Sequence, residues 1–239
     1  MPGPDVDILR RVDVLWDTVA DHAAFPFSLP AVRALDGLRF SAPVTFLVGE
    51  NGSGKSTVVE ALAMAAGLSP GGGNRDIRVE ARNSESSLDG HLRLTYGTRP
   101  ARSFFVRGET WFQAAHAYQG LMWIDGNIDE RSHGEAFIEG VTSRLFGPRG
   151  LYFMDEPESG LSVQGLLQLL RVVHQLVAGA SQLVIATHSP VLLAFPGAVI
   201  LELDGDGIAA VDWDDTQVVS LTRSFLEAPE RFLRPLLED

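Results

Sequence analysis

Eight consecutive residues, Gly49-Glu50-Asn51-Gly52-Ser53-Gly54-Lys55-Ser56, set three glycines, a lysine and a hydroxyl at fixed spacing. The pattern is G-x-x-x-x-G-K-[ST], and its chemistry is the binding of phosphate. Glycines let successive backbone N–H groups curl around an anion with no Cβ in the way. The helix that follows adds partial positive charge at its start. Lys55 is expected to reach the β- and γ-phosphates of a nucleoside triphosphate, Ser56 to set its hydroxyl on Mg²⁺, and Thr57 to contact the α-phosphate side.

Hydrolysis needs a second metal ligand and a group to activate water. The stretch "LYFMDEPESGLS", residues 151–162, offers both. Asp155 ends an apolar run, where a buried carboxylate is costly unless a cation meets it. Glu156 follows directly and is suited to accept a proton from attacking water. His188, in "LVIATHSP", ends another apolar run, and an imidazole there would bond the γ-phosphate and sense its presence. The expected catalytic set is thus Lys55, Glu156 and His188.

These groups need elements to hold them. "LRFSAPVTFLVG" predicts two short strands broken at Pro43, and residues 57–66 a helix capped by Gly67. "HLRLTYG" and "RSFFVRG" read as strands, "GLYFMDE" and "SQLVIATHS" as buried parallel strands, and 162–178 as a helix. "AVILELDGDGIAAVDW" predicts a hairpin, and the tail predicts helices broken at Pro229 and Pro235. Residues 1–35 read as helix and turn. Alternating strands and helices imply an α/β fold with a mostly parallel central sheet, and the β-rich stretch around 90–106 suggests an antiparallel piece beside it. Strand ends on one edge of such a sheet share a rim where ligands bind.

The chain has 239 residues with 45% hydrophobic content, which suits one compact domain or a core with an inserted lobe. It has no cysteine, which excludes disulfides and cysteine–zinc sites. No window reaches the roughly 18 apolar residues of a membrane span, and the N-terminus lacks an apolar signal core, so a soluble, cytoplasmic protein is expected. The net charge of −12 disfavours a polyanion such as DNA on the average surface. Arg75, Arg78, Arg82, Arg93, Arg99, Arg102 and Arg107 lie in one region and read as a solvated sheet face.

Taken together, the phosphate loop, "SHGEAF" at 132–137, "DEP", "SGLS" at 159–162 and "THS" resemble the ordered motifs of the ABC-type P-loop ATPases. That group includes transporter motors and SMC and RecF-like ATPases. "PFSLPAVRAL", "FFVRGETWF", "WIDGNIDERSHGEAF" and "ATHSPVLLAFPGAVI" are also similar to small, stand-alone bacterial AAA/ABC-like ATPases. The resemblance implies one ABC-type domain over 1–239, with a helical signature lobe inserted at about 108–147. It implies ATP and Mg²⁺ as ligands, and a homodimer in which Ser132, Gly134 and Glu135 of one subunit close over the γ-phosphate held by the other. ATP is then the glue, and hydrolysis loosens it.

Some positions depart from the family pattern. His133 replaces the first signature glycine and Glu135 a glutamine, the latter as in the SMC branch. Ser162 stands where the D-loop carries aspartate. No glutamine ends "RSFFVRG"; Glu109 is the nearest candidate for that metal-side role, with Gln113 next. Phe27 or Phe25 stands at about the distance expected of an adenine-stacking aromatic. Four functions are compatible: an ATP-dependent dimerising switch on an unknown macromolecule, a transporter's ATPase subunit, a nucleic-acid-linked SMC/RecF-like ATPase, and a nucleotide-binding module without turnover.

Overall fold

The computed structural model describes residues 7–74, 86–108, 111, 133–142 and 145–237. Eight strands form within them: β1 (Leu9–Val14), β2 (Val44–Gly49), β3 (Leu92–Tyr96), β4 (Arg102–Arg107), β5 (Gly150–Asp155), β6 (Gln182–Ala186), β7 (Val199–Leu203) and β8 (Ile208–Val211). Six make one sheet in the order β4-β5-β6-β2-β7-β8. Its first five strands run parallel, and β8 returns antiparallel to β7 as the expected hairpin.

The continuous apolar runs are explained by burial on both faces, the usual state of parallel strands. Side chains alternate between faces along each strand. Phe46 and Val48 enter one core cluster, and Leu47 between them enters the other. Tyr152 and Met154 alternate in the same way with Leu151 and Phe153. The helix Lys55–Ala65 covers one face with Val58, Val59 and Leu62. The helix Val163–Ala178 covers the other with Leu166, Leu169, Val173 and Leu176, a stripe at helical spacing. Ser162 caps this helix, its Oγ accepting from Gly165 N at 3.2 Å. Phe137 and Val141 of the helix His133–Thr142 join the same cluster.

At the strands' N-terminal ends, buried polar groups bond one another. Tyr152 Oη donates to Gly147 O and accepts from Gly147 N, both at 2.8 Å. Ser181 Oγ accepts from Gly150 N at 3.0 Å and donates to Gly147 O at 2.9 Å. Gln182, fully buried, accepts from Leu9 N at 2.7 Å and donates to Leu9 O at 3.1 Å.

Four local expectations need correction. Residues Leu9–Val14 form a strand rather than helix and turn, and pair antiparallel with β3. That pairing is the antiparallel piece; β4 belongs instead to the parallel sheet. Upstream of Pro43 there is only an isolated bridge, Arg11 to Arg39, and not a strand. Pro235 lies inside the helix Pro229–Leu237 and does not end the tail's helical run. The rest of the expected 108–147 lobe falls mainly outside the described residues. No helix among those described is long and apolar enough to cross a membrane.

Candidate functional site

The parallel strands deliver their C-terminal ends to one rim. The phosphate-loop motif follows β2, Asp155 closes β5, and His188 lies two residues beyond β6. Because β6 pairs with both β2 and β5, three separate sequence regions meet there.

The glycines do what bare backbone is needed for. Gly49 has φ 152°, and a Cβ on it would stand 2.2 Å from the carbonyl oxygen of Leu203. No other residue fits without moving β7. Gly54, at φ 98°, turns the chain into the helix Lys55–Ala65.

Lys55 is 4% exposed, and its Nζ donates to the carbonyls of Gly49 at 2.9 Å and Glu50 at 2.8 Å. The ammonium thus lies folded against its own loop. Burial pushes its pKa down, opposed by the negative charges of Glu156, Asp155 and Glu158. Ser56 Oγ donates to Asp155 Oδ1 at 2.9 Å, joining residues 99 positions apart. Asp155 is 5% exposed, and burial pushes its carboxyl up to about 6 against the opposing effects of Ser56 and Arg107. Arg107 is half-buried, bonds Glu60 Oε2 at 3.0 Å and stands 3.8 Å from Asp155 Oδ2. It therefore leaves the solvated arginine group to which its sequence neighbours assigned it; Arg93, Arg99 and Arg102 are exposed.

Glu156 has φ 47°, uncommon for a residue with a Cβ. Its backbone N donates to Ala186 O at 2.9 Å, and its Oε1 lies 3.5 Å from His188 Nε2. That Nε2 is buried and makes no hydrogen bond, as is true of Ser53 Oγ. Two orphaned polar atoms beside a cradle too tight for a Cβ fit a phosphate ligand.

A hydroxyl and one carboxylate, Ser56 and Asp155, are also a fitting partial shell for Mg²⁺, which keeps waters and phosphate oxygens as its other ligands. Among the described residues no cluster of three or more His, Cys, Asp or Glu could hold a metal by itself. Glu109, the other expected metal-side residue, lies outside the described residues, as does Gln113.

Beside the loop a cleft of about 480 Å³ is lined by Leu29, Pro30, Asn51, Ser53, Asp204 and Gln217 among others. Gln217 Nε2 donates to Glu50 Oε1 at 3.2 Å at its edge. Phe27 is not part of this cleft's lining. It is 6% exposed and packs edge-on against Trp16 and His91, so this ring is core rather than a stacking platform. Phe25 is 55% exposed.

Comparison with known proteins bears on the same regions. A family model described as "AAA domain" matches residues 28–107. A second, described as "AAA domain, putative AbiEii toxin, Type IV TA system", matches 138–194. The arabinose import ATP-binding protein AraG of Chromohalobacter salexigens is 31% identical over 187 residues, covering 66% of this chain and 37% of its own length. The zinc import ATP-binding protein ZnuC of Vibrio cholerae is 28% identical over 155 residues, covering 60% and 57%. The matched models and relatives, with the ordered motifs, support an ABC-type P-loop ATPase. The chain spans between 37 and 57% of the length of these two curated relatives. Among solved structures, the SMC head domain from Thermotoga maritima matches with 17% identity and a TM-score of 0.44, over 73% of this chain and 92% of that one.

Two further motifs stand apart from the loop and its acids. Ser132 lies outside the described residues. Gly134 and Glu135 fall in the first turn of the helix His133–Thr142, whose Phe137 joins the core. Ser162, at the D-loop's end, is occupied as a helix cap. Sequence reasoning passed over Glu158 and Arg107. The only signal for Glu158 was a second acid in "DEPES", and for Arg107 its place at the end of a strand.

Proposed function

We propose that this chain binds ATP with Mg²⁺ and hydrolyses it as a homodimer with shared sites, forming a switch that acts on a macromolecular partner. One ABC-type domain over 1–239, with its signature lobe near 108–147, is the unit that dimerises. The observation that carries the reading is the Ser56–Asp155 hydrogen bond, which sets the two expected metal ligands together beside a lysine held against the phosphate loop.

The residues divide the work. Backbone N–H groups of residues 49–56 receive the phosphates, and the base side of the nucleotide extends into the cleft between Leu29 and Asp204. Lys55 exchanges its loop carbonyls for phosphate oxygens as the triphosphate enters. Mg²⁺ held at Ser56 and Asp155 supplies charge neutralisation at those oxygens. Glu156 takes the proton of the water that attacks the γ-phosphorus, while the bond to the β-phosphate oxygen breaks and ADP leaves. His188 Nε2 contacts the transferring phosphoryl group. Ser132, Gly134 and Glu135 of the partner subunit complete the pocket.

The test is Glu156→Gln with saturating ATP. It is expected to bind ATP yet turn over about 10²–10⁴-fold more slowly, and to elute as a dimer on sizing. A protein that remains monomeric with ATP bound overturns the shared site. The import roles named for the relatives favour a second reading, the ATPase subunit of a transporter. Co-purification of the Glu156→Gln protein with a membrane subunit would select it.

A further inference from the structure

We propose that Glu158 is a positioning residue that holds His188 at the phosphate site; this rests on the ATPase reading above. Its Oε1 accepts two hydrogen bonds, from Thr187 Oγ1 at 2.7 Å and from the backbone N of His188 at 2.6 Å. Thr187 Oγ1 in turn accepts from Ser189 N at 3.0 Å. One carboxylate oxygen therefore organises three consecutive residues, with the histidine in the middle.

The clamp is needed because the sheet stops short of this segment. The last bond tying it to a neighbouring strand is Thr187 N to Leu47 O at 3.1 Å. One residue later, the His188 N–H finds its acceptor in Glu158 and not in a strand. Bonds to an ionised acceptor are roughly twice as strong as neutral ones, and Thr187 is fully buried, so water does not compete at that hydroxyl. The same carboxylate sits three residues beyond Asp155, in the turn that carries Glu156. It thus couples the segment that presents the base to the segment that presents the imidazole. His188 Nε2, 3.5 Å from Glu156 Oε1, depends on both being in place. Glu158 also lies close enough for its charge to be felt by the Lys55 ammonium, which puts the clamp at the phosphate side of the rim. It has no role in bonding substrate; it acts through His188.

The test compares Glu158→Ala with Glu158→Gln. Glutamine keeps an acceptor oxygen at the same reach, and alanine keeps none. Glu158→Ala is expected to lower kcat about 10- to 100-fold, with KM for ATP changed less than about threefold, and Glu158→Gln to recover most of the loss. A second readout needs no nucleotide: amide hydrogen exchange at His188, measured by NMR on the free protein, is expected to quicken about tenfold in Glu158→Ala and to stay near wild type in Glu158→Gln. Unchanged kcat in Glu158→Ala overturns the proposal, as does a Glu158→Gln variant equally impaired or an exchange rate that does not move. If the wild-type protein hydrolyses no ATP, the ATPase reading fails, and the exchange result alone decides the clamp. Should Glu158→Ala not fold, Thr187→Val removes one bond of the clamp and is expected to lower kcat about 3- to 10-fold with KM unchanged; no fall overturns the proposal.

Discussion

The two ends of the central sheet handle buried polarity in opposite ways. At the N-terminal ends, Tyr152, Ser181 and Gln182 are fully buried, and each bonds to backbone on both a donor and an acceptor. Burial pushes the Tyr152 phenol up to about 12, so it stays neutral at any working pH and carries no charge to compensate. At the C-terminal ends, burial pushes the Lys55 ammonium down and the Asp155 carboxyl up to about 6. Five buried side-chain atoms lack a hydrogen-bond partner among the described residues, and three of them, Ser53 Oγ, Glu158 Oε2 and His188 Nε2, belong to this end. Tyr152, Ser181 and Gln182 are satisfied within the protein; Ser53 Oγ and His188 Nε2, beside the phosphate loop, are not.

Breaking the ligand end is expected to cost most in activity. Lys55→Ala should lower ATP turnover or affinity by at least about 10²–10³-fold, since it removes the ammonium held against the phosphate loop. The apo protein should melt no lower than wild type, because a desolvated ammonium is gone; turnover and affinity both intact would refute the loop's role. Next comes the pH dependence of the nucleotide-free and metal-free protein. Asp155 holds its proton to about 6 when folded but only to about 3.8 when unfolded. The folded state therefore binds more protons between these values, and stability falls as pH rises through that window. The loss is on the order of 3 kcal/mol. Asp155→Asn should therefore be more stable than wild type at pH 8 in chelator, with the difference gone near pH 4, as read by urea titration. A constant difference across that range would count against the burial argument. The smallest effect is predicted at the other end. Tyr152→Phe strands the Gly147 N–H and should cost about 1–3 kcal/mol, a drop of about 2–12 °C in Tm, without changing turnover per folded molecule. A loss of activity without loss of stability would erase the contrast between the two ends.

What the sequence disclosed follows from how local each feature is. The loop motif, the two acids and the apolar strands are carried by consecutive residues, so composition and spacing were enough for Gly49 to Ser56, for Asp155 and for the parallel sheet. Features built across long separations were not legible. Leu9–Val14 carries two arginines in six residues, and only its pairing with β3, some eighty residues on, makes it a strand. The Gln182 contact to Leu9 spans 173 positions. Phe27 stands at the right distance from the loop for an adenine platform, but distance along the chain does not tell which way a ring turns; Trp16 and His91 enclose it. Glu158 was passed over because its partners, Thr187 and His188, are about thirty residues away.

Gln182 carries a further implication. Its amide gives Leu9 one donor and one acceptor, as a peptide unit would, so a single side chain serves the N-terminal ribbon as a surrogate strand. The ribbon leads through Leu15 to Leu29 and Pro30, which wall the cleft beside the phosphate loop. Gln182 thus ties the start of the segment that leads to that wall to the N-terminal end of β6.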